Sequence, residues 1–574
     1  MTLPLAWRRE WRQFRLLLDV SYRRLLDAAL ASREIDAEQF ALWGAALLAA
    51  PPLYASFIWP SRYPWLRARS LELLHGAVLA DRLFFVTWSM LVALLVAALL
   101  WDGLFPDRTD QQVMGVLPVR SRTVAAARVT AAIVSVVVLL IGVNLPATAI
   151  YALVGAVHPS VGSVPGIFVG QMLASVAAGT FAFSLLLTAR GAIAWLVGAS
   201  TAARIAIALQ FAAVVAIFES LMFMPGLLGG MVRQVLAGRT GVAASLPPVW
   251  FMGVYAWFAG PHAAALMPMA ETAVAALIGS LISALAIYVL PARLAAGRAI
   301  ESRDTERASA LLVVPLVACG VLLRRPSARA RYIFVVRSLT RSRRHLLIVA
   351  TYLGLGVALA GTRVLSASVR SRVSLDQPAD YLLVIPLVVT FFLVLGVRAA
   401  FAVPTDLPAN WVFRVVGPGN LLDSRSAPRL ALYAIAVLPV SAVTLLAATW
   451  LWGVATATAT TAMHAASGVM LCELALRGHE AVPFTKARGL STSSLQVGVA
   501  GAIGAVYVFA FRFDDLQLWA LGTPWRTAGY VLAALTIAVL IAVAGRRRAR
   551  AEAATFDAPD EHAVTQLKLS EASL

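Results

Sequence analysis

The chain has 574 residues, of which 60% are hydrophobic and 13% charged, with a formal net charge of +19 and two cysteines. Soluble domains carry roughly 25% charged residues, so this composition argues against a water-soluble enzyme and for a protein that lives in lipid. The basic residues are almost all arginine, Lys486 and Lys568 being the only lysines, and no separate basic domain collects them; the charge reads as membrane-side bias and not as nucleic-acid binding.

Twelve apolar stretches approach or exceed the about 20 residues a bilayer crossing needs. They lie near 39–58, 83–101, 128–154, 165–188, 204–228, 266–291, 346–361, 381–402, 430–452, 459–476, 493–511 and 527–544. Connecting segments on the side of both termini hold 37 of the 48 Lys+Arg, and those on the other side hold 11. Basic residues concentrate in the cytoplasm, so both ends are expected inside, as the even span count requires. The fold class expected is an all-α polytopic membrane protein of about 12 transmembrane helices, arranged as two pseudo-repeated six-helix bundles. No cleavable signal peptide is expected, because the chain opens on a charged amphipathic segment.

In chain order, residues 1–37 read as an interfacial helix. Trp7, Trp11, Phe14, Leu18, Tyr22 and Leu25 recur every three or four residues, with Arg8, Arg9, Arg12, Arg15, Arg23 and Arg24 between them. The first six-span half then covers 38–292, with an external loop near 60–81. A connector follows over 293–328, in which Ala310 to Leu323 is apolar but too short to cross and reads as re-entrant or interfacial. Residues 329–345 repeat the opening plan: Tyr332, Val335, Val336 and Leu339 among six arginines. The second six-span half covers 346–545, and 546–574 is a cytoplasmic tail. The spans 83–101 and 381–402, and the prolines Pro106 and Pro404 behind them, share an offset of 298 residues. That common offset predicts an internal duplication.

Little chemistry is visible. A P-loop needs Gly-Lys-Ser/Thr after a glycine-rich turn, and neither Lys486 nor Lys568 has that context. Cys319 and Cys472 have no metal-ligand or disulfide-framework spacing, and the seven histidines form no zinc motif. No cofactor is therefore expected on the chain, and no metal. Intramembrane carboxylates are functional candidates because burying them in lipid is costly. Glu219 reads either as a proton, cation or substrate contact or as a structural hydrogen bond. Glu473 stands four residues before Arg477, the spacing of a helix ion pair. The polar segments 102–127 and 403–428 mix carboxylates, amides and arginines. Asp107, Arg108, Asp110, Arg120 and Arg122 stand in the first, and Asp406, Asn410 and Arg414 in the second. A docking surface for a soluble partner and a plain solvated loop weigh equally there.

At these segments the chain resembles the membrane (permease) subunit of bacterial type-2 ABC exporters. The matching residues are the elbow Trp7 to Leu26, the run Leu117-Pro118-Val119-Arg120-Ser121-Arg122-Thr123, and Pro247-Pro248-Val249-Trp250-Phe251. In the second half they are Ala409-Asn410-Trp411-Val412-Phe413-Arg414 and Pro483-Phe484-Thr485. The resemblance covers most of the layout but only about 40 residues in recognisable wording, and it departs in carrying two six-span halves where such subunits carry one. It implies a transport subunit of the bacterial inner membrane, without catalytic residues. A separate cytoplasmic ATP-binding subunit would drive alternating access through Asp107, Arg108, Asp110, Arg120, Arg122, Asp406, Asn410 and Arg414. Membrane lipids and a second permease copy are the other partners it implies; nucleic acid is not one. An ion-coupled secondary transporter is the alternative reading. A membrane-embedded lipid or glycan enzyme is a third; its external carboxylates would be the adjacent pair Asp514 and Asp515.

Overall fold

The computed structural model describes residues 11–22, 37–99, 119–156, 161–197, 205, 207–217, 219, 245–258, 266–289, 319–369, 377–403, 421–477, 483–484 and 515–551. Among these residues the structure is helical throughout, with no strand. In lipid a backbone must satisfy its own polar groups, and a helix does so within one segment.

The chain separates into two compact units, Met1–Thr305 and Glu306–Leu574. In the first, α1 covers residues 11–22, α2 Ala37–Ile58, a tight 3₁₀ turn Trp59–Arg62, α3 Tyr63–Arg69, α4 Leu71–Leu99, α5 Ser121–Gly155 and α6 Val164–Val197. Then come α7 Ile207–Ile217, α8 Pro247–Ala256 and α9 Met269–Val289. In the second, α10 is Pro326–Arg341, α11 Arg343–Val369, α12 Asp380–Phe401 and α13 Leu421–Leu432. A π-helical turn Tyr433–Val437 leads into α14 Leu438–Trp452, followed by α15 Val454–Ala475, α16 over residues 515–521 and α17 Pro524–Ala551.

Eight helices among the described residues are long and apolar enough to cross a membrane. They fall on the second, third, fourth, sixth, seventh, eighth, ninth and twelfth predicted spans. The first and tenth predicted spans are helices of 22 residues each, α2 and α15, outside that group of eight. Hydroxyls make α15 less apolar, and two of them are turned back on its own backbone: Thr460 Oγ1 donates to the Thr456 carbonyl at 2.9 Å and Ser467 Oγ to that of Met463 at 2.9 Å. The fifth predicted span is described only around α7, and the eleventh lies outside the described residues.

One expectation is corrected. The segment 60–81, expected to be an irregular loop, is helical apart from Ser70, and α4 begins twelve residues before the apolar stretch at 83. The charges of Arg62, Arg67, Arg69 and Asp81 mimic a loop in sequence, while Leu74, Val78 and Leu79 are fully buried.

In each unit one helix is the packing centre. In the first, α6 packs against α4, α5, α8 and α9. In the second, α15 packs against α12, α14 and α17. α2 lies mainly on α5, whereas α11 lies on α12. Close approach depends on small residues. A Cβ on Gly253 of α8 would meet the Ala270 backbone nitrogen at 2.3 Å, and one on Gly396 of α12 would meet Tyr352 Cβ at 2.8 Å. Both amphipathic helices turn apolar faces inward. Tyr332, Val335, Val336 and Leu339 of α10 are all buried against the second core, with α13 as the main neighbour. Burial and the nearby Cys319 sulfur raise the Tyr332 phenol above its ordinary range, so its ring packs as a neutral group. In α1, Leu17, Leu18 and Tyr22 face the core, whereas Trp11 is 47% exposed and stacks on Phe14 at 5.8 Å.

Candidate functional site

Most of the residues singled out in sequence fall outside the described part of the structure. Asp107, Arg108, Asp110, Asp406, Asn410 and Arg414 lie outside the described residues. Arg120 and Arg122 are exposed at the N-terminal end of α5. Glu219 is partly buried, and its Oε2 has no hydrogen-bond partner among the described residues. Asp515 is exposed at the start of α16, and Asp514 lies outside the described residues.

Glu473 has a different partner from the one its spacing implies. Its carboxylate meets Arg429 of α13, at 2.5 Å from Nε and 2.9 Å from the terminal nitrogen, and accepts from the Tyr433 hydroxyl at 2.5 Å. Tertiary packing overrides the four-residue helix spacing because α13 lies against α15 while Arg477 stands beyond the helix end. The π turn helps to present Tyr433. There the Leu438 N–H reaches back five residues to the Tyr433 carbonyl, immediately before Pro439, which has no N–H to give. Further along α15, His464 is tied on both ring nitrogens, to Thr390 Oγ1 at 2.8 Å and Ser441 Oγ at 3.0 Å, and Ser467 meets the Tyr530 hydroxyl at 2.8 Å. α15 is thus bonded by polar side chains to α12, α14 and α17 as well as α13. Beyond α15, Phe484 adopts a left-handed backbone with φ 69°, rare for a side chain of its size. Its N–H bonds the Phe401 carbonyl at 3.0 Å, and its ring meets those of Phe401, His345 and Phe334.

A buried polar cluster among the described residues of the first unit was not singled out in sequence. The turn Trp59–Arg62 delivers Arg62 and Tyr63 against α4, where Asp81 and Arg82 both have 0% exposure. Arg62 pairs with Asp81 Oδ1. The Tyr63 hydroxyl donates to Asp81 Oδ2 at 2.6 Å, Tyr151 reaches the same oxygen at 3.4 Å, and the two phenol oxygens are themselves in hydrogen-bond contact. Successive helical residues point about 100° apart, so Arg82 faces other neighbours. Its guanidinium carbon sits 4.0 Å from the Tyr151 ring centroid and 5.2 Å from that of Tyr255. All three of its side-chain nitrogens are buried without a hydrogen-bond partner among the described residues. Chemically the cluster sets two guanidinium groups against one carboxylate, walled by phenols: Arg62 bonds that carboxylate, and Arg82 interacts with it through charge alone, without a hydrogen bond among the described residues. The signal available in sequence was the Asp81-Arg82 pair inside the apolar run that starts at Leu71, which the charges of the preceding turn obscured.

Among the described residues no group of three His, Cys, Asp or Glu side chains is placed to hold a metal ion. Compared with protein-family models, curated proteins and solved structures, the chain matches none.

Proposed function

We propose that this chain is the membrane-spanning permease subunit of an ATP-driven transporter, of the type-2 ABC exporter class, in a bacterial inner membrane. Both termini and the segments after Pro106 and Pro404 face the cytoplasm. A separate ATP-binding subunit docks on those segments and rocks two six-span halves between inward and outward openings. ATP moves such an equilibrium only as far as it favours one state over the other. The observation that supports this reading is a shared packing plan: α6 is held by α4, α5 and α9 in the first unit and α15 by α12, α14 and α17 in the second, which are the fourth, second, third and sixth predicted spans of each half. Two bundles of like construction suit a gate whose parts move against each other. The missing P-loop assigns the engine to another chain.

The buried carboxylates favour one alternative, an ion-coupled secondary transporter with Asp81 or Glu219 as the coupling site. Affinity purification of the tagged chain from its native membrane separates the two. Recovery of a stoichiometric Walker-type ATPase, with hydrolysis that the chain alone does not show, supports the ABC reading. Transport by the chain alone in proteoliposomes, driven by a proton gradient without ATP, would replace it.

A further inference from the structure

We infer that Arg82 is the anchor of a binding site for a phosphate-bearing anionic group, at the headgroup level of the first unit. The cluster holds two guanidinium groups, Arg62 and Arg82, against the single carboxylate of Asp81, and Arg62 already takes that carboxylate. What remains is a buried cation with three donor-bearing nitrogens free of hydrogen bonds among the described residues. Two tyrosine faces offset only part of the cost: a desolvated cation–π contact contributes about 2 kcal/mol, and burying an ion costs several. An anion with two or more oxygens matches the guanidinium fork and cancels the excess charge.

The level of the site narrows the ligand. Tyr63 and Tyr255 are flanked in sequence by Trp59, Trp65, Trp257 and Phe258. Trp65 is 56% exposed and carries Arg69 over its ring at 4.1 Å, and Trp257 and Phe258 are 50% and 42% exposed. Exposed tryptophans at helix ends mark the membrane–water boundary, the depth of lipid phosphates. A phosphate monoester or diester, on a lipid headgroup or free in solution, is therefore the chemical class the site fits. The inference rests on the transport reading only for its role: in a permease this group is cargo. Binding itself is measurable without any ATPase.

The test uses the purified full-length chain in detergent micelles. A short-chain phosphatidylglycerol is titrated by calorimetry, and inorganic phosphate and short-chain phosphatidylcholine are titrated in parallel. Phosphatidylglycerol is expected to bind saturably, and Arg82→Gln to weaken it by about tenfold or more, the worth of a charge-assisted pair of hydrogen bonds. Competition by inorganic phosphate identifies the free anion as a ligand; its failure to compete identifies the lipid. Thermal unfolding without ligand gives a second readout. Arg82→Gln is expected to unfold at or above the wild-type temperature, because it removes a buried cation that no hydrogen bond among the described residues offsets, while losing the ligand-induced rise. Should Arg82→Gln not fold, Tyr151→Phe, which keeps the ring under Arg82, carries the binding measurement with Arg82→Lys, which loses the fork. Absence of saturable binding, or equal binding by wild type and Arg82 variants, overturns the inference. So does equal binding of phosphatidylcholine, which lacks net charge. A failed search for an ATPase partner leaves these results standing, and failed binding leaves the ATPase result standing.

Discussion

Glu473 and Arg429 are 4% and 20% exposed at their side chains, and the Tyr433 hydroxyl completes their network. Removing one member of such a pair leaves the other charge buried without compensation, a loss of about 3–5 kcal/mol. Glu473→Leu is therefore expected to lower the thermal stability of the detergent-solubilised protein sharply. Adding Arg429→Met should recover most of the loss, because two apolar side chains of similar volume replace the pair. A double variant as unstable as the single one would mean that the pair itself, and not its charge balance, holds α13 to α15. The same residues show what sequence could reveal. Glu473 was legible, since a carboxylate in an apolar stretch stands out against the cost of burial. Its partner was not, because the contact joins residues 44 apart and periodicity reports only neighbours on the same helix. Asp81 and Arg82 were missed for a related reason. In sequence a charged pair reads as the end of a span, whereas a carboxylate paired with Arg62 and two phenols tolerates burial among apolar helices.

At the scale of elements, helical periodicity carried most of the information. The four apolar positions named for α10 are the ones that turn inward, because an amphipathic stripe has a strong repeat of 3.6 residues. The π turn at Tyr433 had no such signature; it arises where α13 runs into Pro439. Tight interhelical seats were likewise silent in sequence, since a glycine reads the same in open space and against backbone. Gly253 and Gly279 make the distinction testable. An added Cβ at Gly253 would strike the Ala270 nitrogen at 2.3 Å and the Met269 carbonyl carbon at 2.7 Å, backbone atoms that yield only if α8 leaves α9. Overpacking of this kind costs about 1–3 kcal/mol. An added Cβ at Gly279 would meet no atom of another element within 4 Å. Gly253→Ala should unfold at a lower temperature than wild type, and Gly279→Ala at the same or a slightly higher one, alanine being the better helix former. Equal effects of the two changes would show that α8 has room to slide.

For the whole molecule the decisive quantity is parity. Six predicted spans separate the segment after Pro106 from the segment after Pro404, so both should emerge on one face, and on the face where arginine is abundant. Five of the six coincide with helices long enough to cross. The remaining one is described over Ile207–Ile217, a rise of about 16 Å at 1.5 Å per residue, roughly half the hydrocarbon thickness. If that segment does not cross, every later segment changes side, and the two halves become inverted repeats with no common face for an engine to push. Single cysteines placed by Arg108→Cys, Arg414→Cys, Trp65→Cys and Trp257→Cys, with Cys319 and Cys472 replaced by serine, read the parity directly. With a membrane-impermeant maleimide, positions 65 and 257 should label in intact spheroplasts, and positions 108 and 414 only after permeabilisation. Labelling of 108 and 414 from opposite sides would remove the shared docking face, and with it the passive gate, while leaving the buried arginine of α4 and its phosphate chemistry to be explained by a carrier of inverted design.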